Sequence, residues 1–177
     1  KINFSNTQIS DLSELKSKGL SEINLFKTQV KDLAEINCEK LETAILSGTR
    51  IESLASLSSS KKLKKLEIRG TPISDLSSLA ELEIEELYLP GSKVNSIDCL
   101  AYLPIRKLNI IGLELKDLGC LSTLPLEFLA ISPDLLVEDD FDLLKNAKIP
   151  FLRGPADPED QTAEDFFQKY ERKSFHE

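Results

Sequence analysis

A chain of 177 residues with 41% apolar side chains can bury one sizeable core, and its 30 acidic against 22 basic residues leave a net charge of -8. That balance argues against nucleic acid as a partner, because such affinity rests largely on neutralising phosphates with Lys and Arg. No apolar run approaches the roughly 20 residues of a membrane span, so no direct membrane insertion is expected. No charged-then-apolar leader opens the chain, which starts at Lys1 inside a repeat and lacks Met; it reads as part of a longer or processed polypeptide.

From Ile2 onward, apolar residues return on one ruler. Ile2, Ile23, Ala44, Leu66, Leu87, Leu108 and Leu129 are spaced by 21, 21, 22, 21, 21 and 21 residues. Two positions later stand Phe4, Leu25, Leu46, Ile68, Leu89, Ile110 and Ile131. Five further come Ile9, Val30, Ile51, Ile73, Val94, Leu115 and Leu136, and two more leucine-rich columns follow at Leu12 and Leu15 and their equivalents. The stretch Leu63–Leu79 shows the unit plainly, L-x-x-L-x-L-x-x-(polar)-x-L and then leucines in steps of three, which is leucine-rich-repeat spacing. One unit cannot bury its own apolar face, so the stack is what folds.

The fold class this predicts is a right-handed leucine-rich-repeat solenoid of the α/β class. Short parallel strands form a curved sheet on the concave face, and a C-terminal helical cap closes one end. Residues 1–132 supply about six repeats of 21–22 residues, the first truncated. So short a repeat leaves no room for a full convex helix, and tails such as Asp75-Leu-Ser-Ser-Leu79 suit a 3₁₀ turn instead. Asp11, Asp32, Ser53, Asp75, Ser96 and Asp117 open these turns, placed to accept a backbone N–H rather than to ligate calcium. Thr7, Thr28, Thr49, Thr71 and Ser92 form a hydroxyl column able to bond backbone left unpaired at the strand exit. The column fails at Leu113, where a local irregularity over Ile110–Leu113 is expected. Gly48, Gly70, Gly91 and Gly112 precede it and permit positive φ; no phosphate-loop pattern occurs.

The ruler stops at Pro133, and residues 133–177 read as a cap belonging to the same domain, with helices at about 138–147 and 162–173. The first has acidic residues leading and Lys145 near its end. The second starts at a Thr162/Asp165 capping pair and buries Ala163, Phe166, Phe167 and Tyr170. Between them, Ile149–Leu152 suits one last edge strand. A detachable partner-binding helix is the rival reading of the tail.

No constellation for chemistry emerges, and the chain is not read as an enzyme. Its one histidine, His176, is the penultimate residue, too few and too far out for a triad or a metal site. No cofactor, catalytic or metal residues are assigned. Cys38, Cys99 and Cys120 lack C-x-x-C spacing; Cys99 and Cys120 share a repeat column, so bridging is open, with free thiols expected. The compartment stays unassigned.

Residues flanking the core positions of each strand must face the concave side. Phe26, Ile45, Arg69, Tyr88 and Ile111 are the candidate partner-binding residues there, with Phe128 nearer the cap: exposed aromatic and aliphatic groups beside an Arg have the composition of interface anchors. The partner expected is another protein. The basic cluster Lys61-Lys62-Leu63-Lys64-Lys65 reads as a solvated rim, with docking of an acidic partner as its alternative.

The unit resembles the bacterial leucine-rich repeats at the C-terminal end of planctomycete-type serine/threonine protein kinases, which read Thr-x-Val-x-Asp-Leu-Ser-Pro-Leu with a Met-Pro-Leu link. Thr71–Leu79, Leu103-Pro104-Ile105 and Leu124-Pro125-Leu126 carry the likeness, with Ser78 in place of the Pro. It implies a protein-interaction scaffold within a larger bacterial signalling protein. A looser similarity to the 22-residue repeats of internalins implies, alternatively, an extracellular adhesion or surface-structural array.

Overall fold

The computed structural model describes residues 1–16 and 19–171. Its strands are β1 (Ile2–Asn3), β2 (Glu22–Asn24), β3 (Thr43–Ile45), β4 (Lys65–Glu67), β5 (Glu86–Tyr88), β6 (Lys107–Asn109), β7 (Phe128–Ala130) and β8 (Phe151–Arg153). They form one parallel sheet in sequence order, each pairing with the next. The register places Leu66, Leu87, Leu108, Leu129 and Leu152 side by side, the alignment that the 21-residue ruler demands. All five are completely buried. The strands are short because an out-in-out triplet is all each repeat devotes to the sheet before it turns away.

Two residues after each strand centre, Leu25, Leu46, Ile68 and Leu89 drop into the same core, also fully buried. A hydroxyl then stitches the exit. Thr7, Thr28, Thr49 and Thr71 donate through Oγ1 to the carbonyls of Phe4, Leu25, Leu46 and Ile68 at 2.6–2.9 Å. Ser92 is the exception: its Oγ is buried with no hydrogen-bond partner. The residue before this column position takes positive φ in every case, 62° to 75° at the four glycines, Gly112 before Leu113 included, and 60° and 55° at Asn6 and Lys27. Among the described residues, five 3₁₀ turns line the convex side, Ser13–Leu15, Ala55–Leu57, Ser77–Leu79, Asp98–Leu100 and Gly119–Thr123, and a sixth, Pro133–Leu135, lies at the exit of β7. Each of the acidic or Ser openers accepts the N–H two residues on, from Asp11 to Ser13 through Asp117 to Gly119. In the second repeat the turn is looser, a single Ile36 N–H to Leu33 carbonyl bond of 3.2 Å.

The irregularity expected over Ile110–Leu113 falls elsewhere. The turn itself is regular, with Gly112 at φ 75° and the Leu113 N–H bonded to the Ile110 carbonyl at 3.2 Å. Leucine cannot make the hydroxyl bond, but the backbone bond suffices to hold the turn. The departure comes just downstream. Leu113 is buried while Leu115 lies half-exposed, and Lys116, rather than the residue after the turn, donates to the preceding repeat at the Asn95 carbonyl.

Beyond β7 the chain forms α1 (Glu138–Ala147), then β8, then α2 (Ala163–Tyr170). The Val137 N–H donates to Asp140 Oδ2 at 3.0 Å, and Thr162 Oγ1 accepts the Asp165 N–H at 3.2 Å, fixing the two helix starts. The sheet therefore runs on past residue 132, and its last strand begins two residues later and ends one residue later than Ile149–Leu152 suggested. For α2, the expected residues 172–173, like His176, lie outside the described residues. Phe141 of α1 and Phe166 of α2 are buried with ring centroids 6.4 Å apart, and Tyr170 lies 4.9 Å from Phe166. Asp157, in the loop before α2, has a fully buried side chain. It accepts from the Gly154 N–H at 2.7 Å, from Tyr170 Oη at 3.0 Å and from Lys169.

Candidate functional site

The strand pleat presents alternate side chains to the concave face, and the observed register puts Ile45 on β3 and Tyr88 on β5, with Phe26, Arg69 and Ile111 at strand exits. The structure brings only two of these five together. The Arg69 guanidinium carbon lies 4.9 Å from the centre of the Tyr88 ring, and Lys65 Nζ lies 5.2 Å from it. The two form one wall of a hollow of about 520 Å³. Phe128, Phe151 and Arg153 form the other wall, with Lys107 and Asn109 between and Glu127, Glu159 and Asp160 at its edge.

Phe26, Ile45 and Ile111 lie apart from it. Ile45 lines a smaller hollow of about 240 Å³ with Lys1, Asn3 and Asn24. Lys27 Nζ covers the Phe26 ring at 5.1 Å. The backbones of Phe26 and Ile111 are held by Asn24 and Asn109, whose Oδ1 atoms accept the N–H two residues on at 3.0 and 3.2 Å. The Oδ1 acceptors of these Asn residues are thus committed to the strand exit.

Around Tyr88 the charges are paired. Lys65 reaches Glu67 at 3.1 Å and Glu86 at 3.7 Å, Lys107 reaches Glu86 at 2.9 Å, and Tyr88 Oη donates to Glu86 Oε2 at 3.3 Å. Burial raises the Glu86 carboxyl, but the Lys107 hydrogen bond, the two lysine charges and the Tyr88 hydroxyl outweigh it and leave the group below its ordinary range. The Tyr88 phenol is pushed up to about 12 by burial and by the neighbouring Glu86 and Glu67 charges. It stays protonated at neutral pH, a hydrogen-bonding aromatic and not a base.

Of the second wall, the repeat spacing points to Phe128 alone; Phe151 and Arg153 fall outside it because α1 interrupts the ruler. Arg153 stacks on Phe128, guanidinium carbon 5.6 Å from the ring centre, repeating the Arg69–Tyr88 arrangement. A signal was available: Phe151-Leu152 repeats the aromatic-then-buried-Leu pair of Phe128-Leu129, with the buried Leu 23 residues on.

Eight parallel strands in sequence order, their core leucines in one register and 3₁₀ turns on the far side, decide the architecture. The fold is a leucine-rich-repeat solenoid. Solved structures agree. An internalin (inlF) from Listeria monocytogenes strain 4b F2365 superimposes with a TM-score of 0.71 over 86% of this chain and 46% of its own, at 19% identity. An internalin C2 (inlC2) from the same strain gives 0.65 over 76% of this chain and 61% of its own, at 23% identity. The chain thus spans about half to three-fifths of the lengths of these neighbours. No protein-family model and no curated protein matches the sequence.

Within the solenoid, the basic cluster lies along the edge where strands begin. Lys61 pairs with Glu81 at 3.3 Å, and Lys64 with Glu83 and Glu85 at 3.0 and 3.1 Å. The next repeat pairs with Lys61 and Lys64, which favours the rim reading over docking of an acidic partner. Cys38, Cys99 and Cys120 are free thiols; burial raises all three, Cys38 to about 11 and Cys120 to about 12. Cys99 and Cys120 occupy adjacent 3₁₀ turns, as their shared column implied. Among the described residues, no group of three or more His, Cys, Asp or Glu could hold a metal ion, and no helix is long and apolar enough to cross a membrane.

Proposed function

We propose that this chain is a protein-binding module that engages its partner on the concave face, centred on the Arg69–Tyr88 and Phe128–Arg153 pairs. One observation carries the reading: two arginines, each stacked on an aromatic ring, face one another across the same hollow, with Phe151 42% exposed beside them. Stacking on a ring preorganises each guanidinium, and rigid aromatic and Arg anchors supply most of the energy of typical interfaces. Phe26, Ile45 and Ile111 extend the same face towards the first repeats and form the outer part of the contact.

Two settings are open to such a module. The repeat likeness at Thr71–Leu79 supports a place within a larger bacterial signalling protein. The structural likeness to the two Listeria internalins supports an adhesion or surface-structural array. A kinase domain or a cell-wall anchor encoded in the same reading frame separates them.

The test of the site begins with a partner isolated by pull-down and measured by calorimetry. Tyr88→Ala and Arg69→Ala each weaken binding by more than about 1 kcal/mol, with Phe26→Ala and Ile45→Ala weaker in effect. None shifts the melting temperature greatly, since none of these side chains fills the core. Unchanged affinity in both Tyr88→Ala and Arg69→Ala moves the site off this face.

A further inference from the structure

The sixth repeat breaks the pattern that the second to fifth repeats keep, and it does so beside an open groove. In the column after the hydroxyl, Val30, Ile51, Ile73 and Val94 are at most 3% exposed, whereas Leu115 is lifted half out of the core. In the next repeat, the backbone is extended at Leu136 (φ -90°, ψ 142°) and Val137 (φ -100°, ψ 173°). Extended backbone sends Leu135 and Val137 to one side and Leu136 to the other. Leu136 is buried, while Leu135 and Val137 are 44% and 64% exposed. The three lifted side chains line one groove of about 310 Å³, which shares no residue with the concave hollow. Glu114, Asp117 and Asp140 line it too, against the single cation Lys116.

We infer that this groove is a second docking site, for a cationic amphipathic segment of another protein that inserts a large aliphatic or aromatic side chain between Leu115, Leu135 and Val137. The volume suits one or two such side chains. Carboxylates on the rim select Lys or Arg on either side of the anchor. The same charges argue against the other occupants. A second copy brings its own net charge of -8 to an acidic rim. An anionic lipid surface is repelled likewise.

The probe is a short amphipathic helical peptide of leucine and lysine, titrated into the intact chain by fluorescence anisotropy and by amide chemical-shift mapping. The expected result is saturable binding that weakens with salt, with shifts concentrated over Leu113–Leu118 and Leu135–Asp140. A Leu135→Ser/Val137→Ser double variant, exposed enough to leave the fold intact, lowers affinity at least about fivefold, and Glu114→Lys/Asp117→Lys does the same. Tyr88→Ala leaves it unchanged, which separates this site from the concave one. The inference is overturned by non-saturable binding, by shifts confined to the concave face, or by an unaffected double variant. It is equally overturned if sedimentation shows a dimer of the chain that Leu135→Ser/Val137→Ser disperses.

Discussion

Asp157 ties the segment that follows β8 to α2, and its chemistry sets a pH limit on this end of the molecule. Burial raises its carboxyl, but Lys169, the Gly154 N–H and the Tyr170 hydroxyl together hold it below the ordinary value of 3.8. A carboxyl depressed in the folded state stabilises above its unfolded value of about 3.9 and loses that contribution as pH falls through the depressed value. Thermal melts should therefore drop below about pH 4, and Asp157→Asn should flatten that drop while lowering stability at neutral pH. Asp157→Ala orphans the buried Gly154 N–H and costs about 1–3 kcal/mol. Gly154 itself cannot be replaced freely: a Cβ there lies 2.8 Å from Tyr170 Oη and 3.0 Å from Asp157 Oδ2. The hydroxyl column gives a sharper contrast at the same scale. Thr49→Val removes a 2.6 Å bond to the Leu46 carbonyl and should cost about 1 kcal/mol by urea denaturation. Ser92→Ala removes a hydroxyl with no partner and should cost less than about 0.5 kcal/mol, or stabilise.

The repeat is the element that matters for stability. Leu87 is completely buried and flanked in register by Leu66 and Leu108, so Leu87→Ala should cost about 2–5 kcal/mol in a denaturant titration. A cost below about 1 kcal/mol at this position is incompatible with a continuous core column. Strand positions, turns and the first cap helix were legible in the sequence for one reason: a parallel stack forces every repeat to obey the same spacing, so five apolar columns report one geometry. Tyr88 and Arg69 were legible as outward-facing by the same rule. What could not be read was which outward residues meet. The pairing of Arg153 with Phe128 depends on β8, which comes back into register only after α1. The withdrawal of Asn24 and Asn109 into Asx turns depends on local backbone that the apolar pattern does not encode. Leu115 shows the converse: it keeps the column in sequence while its side chain sits partly exposed at the edge of the core.

At the scale of the molecule, the buried Phe141 and Phe166 make α1 and α2 depend on each other. Deleting residues 160–177 should uncover Phe141 and the outer side of β8, lower the melting temperature and promote aggregation. A truncated chain that stays monomeric with unchanged melting shows instead that the tail is an independent module. The cysteines give a second whole-molecule readout. Alkylation under native, non-reducing conditions should leave Cys38 and Cys120 largely unmodified, because they are buried and their thiols are pushed to about 11 and about 12. After denaturation all three should react, and a mass lower by two hydrogens at Cys99 and Cys120 contradicts the free-thiol assignment.

The segment crossing β8 has a bearing on self-assembly. Phe151 forms an antiparallel bridge with Thr162, and the Ala163 N–H bonds the Pro150 carbonyl at 3.1 Å, so the chain lays its own backbone across the outer side of the last strand. A sheet of identical parallel rungs is otherwise an open-ended template, since a rung from another molecule adds by the same hydrogen bonds as the one before it. Crossing it in the opposite direction mismatches that template. The bridge acts as a chain terminator for the sheet at β8 and opposes extension there by a rung from a second molecule.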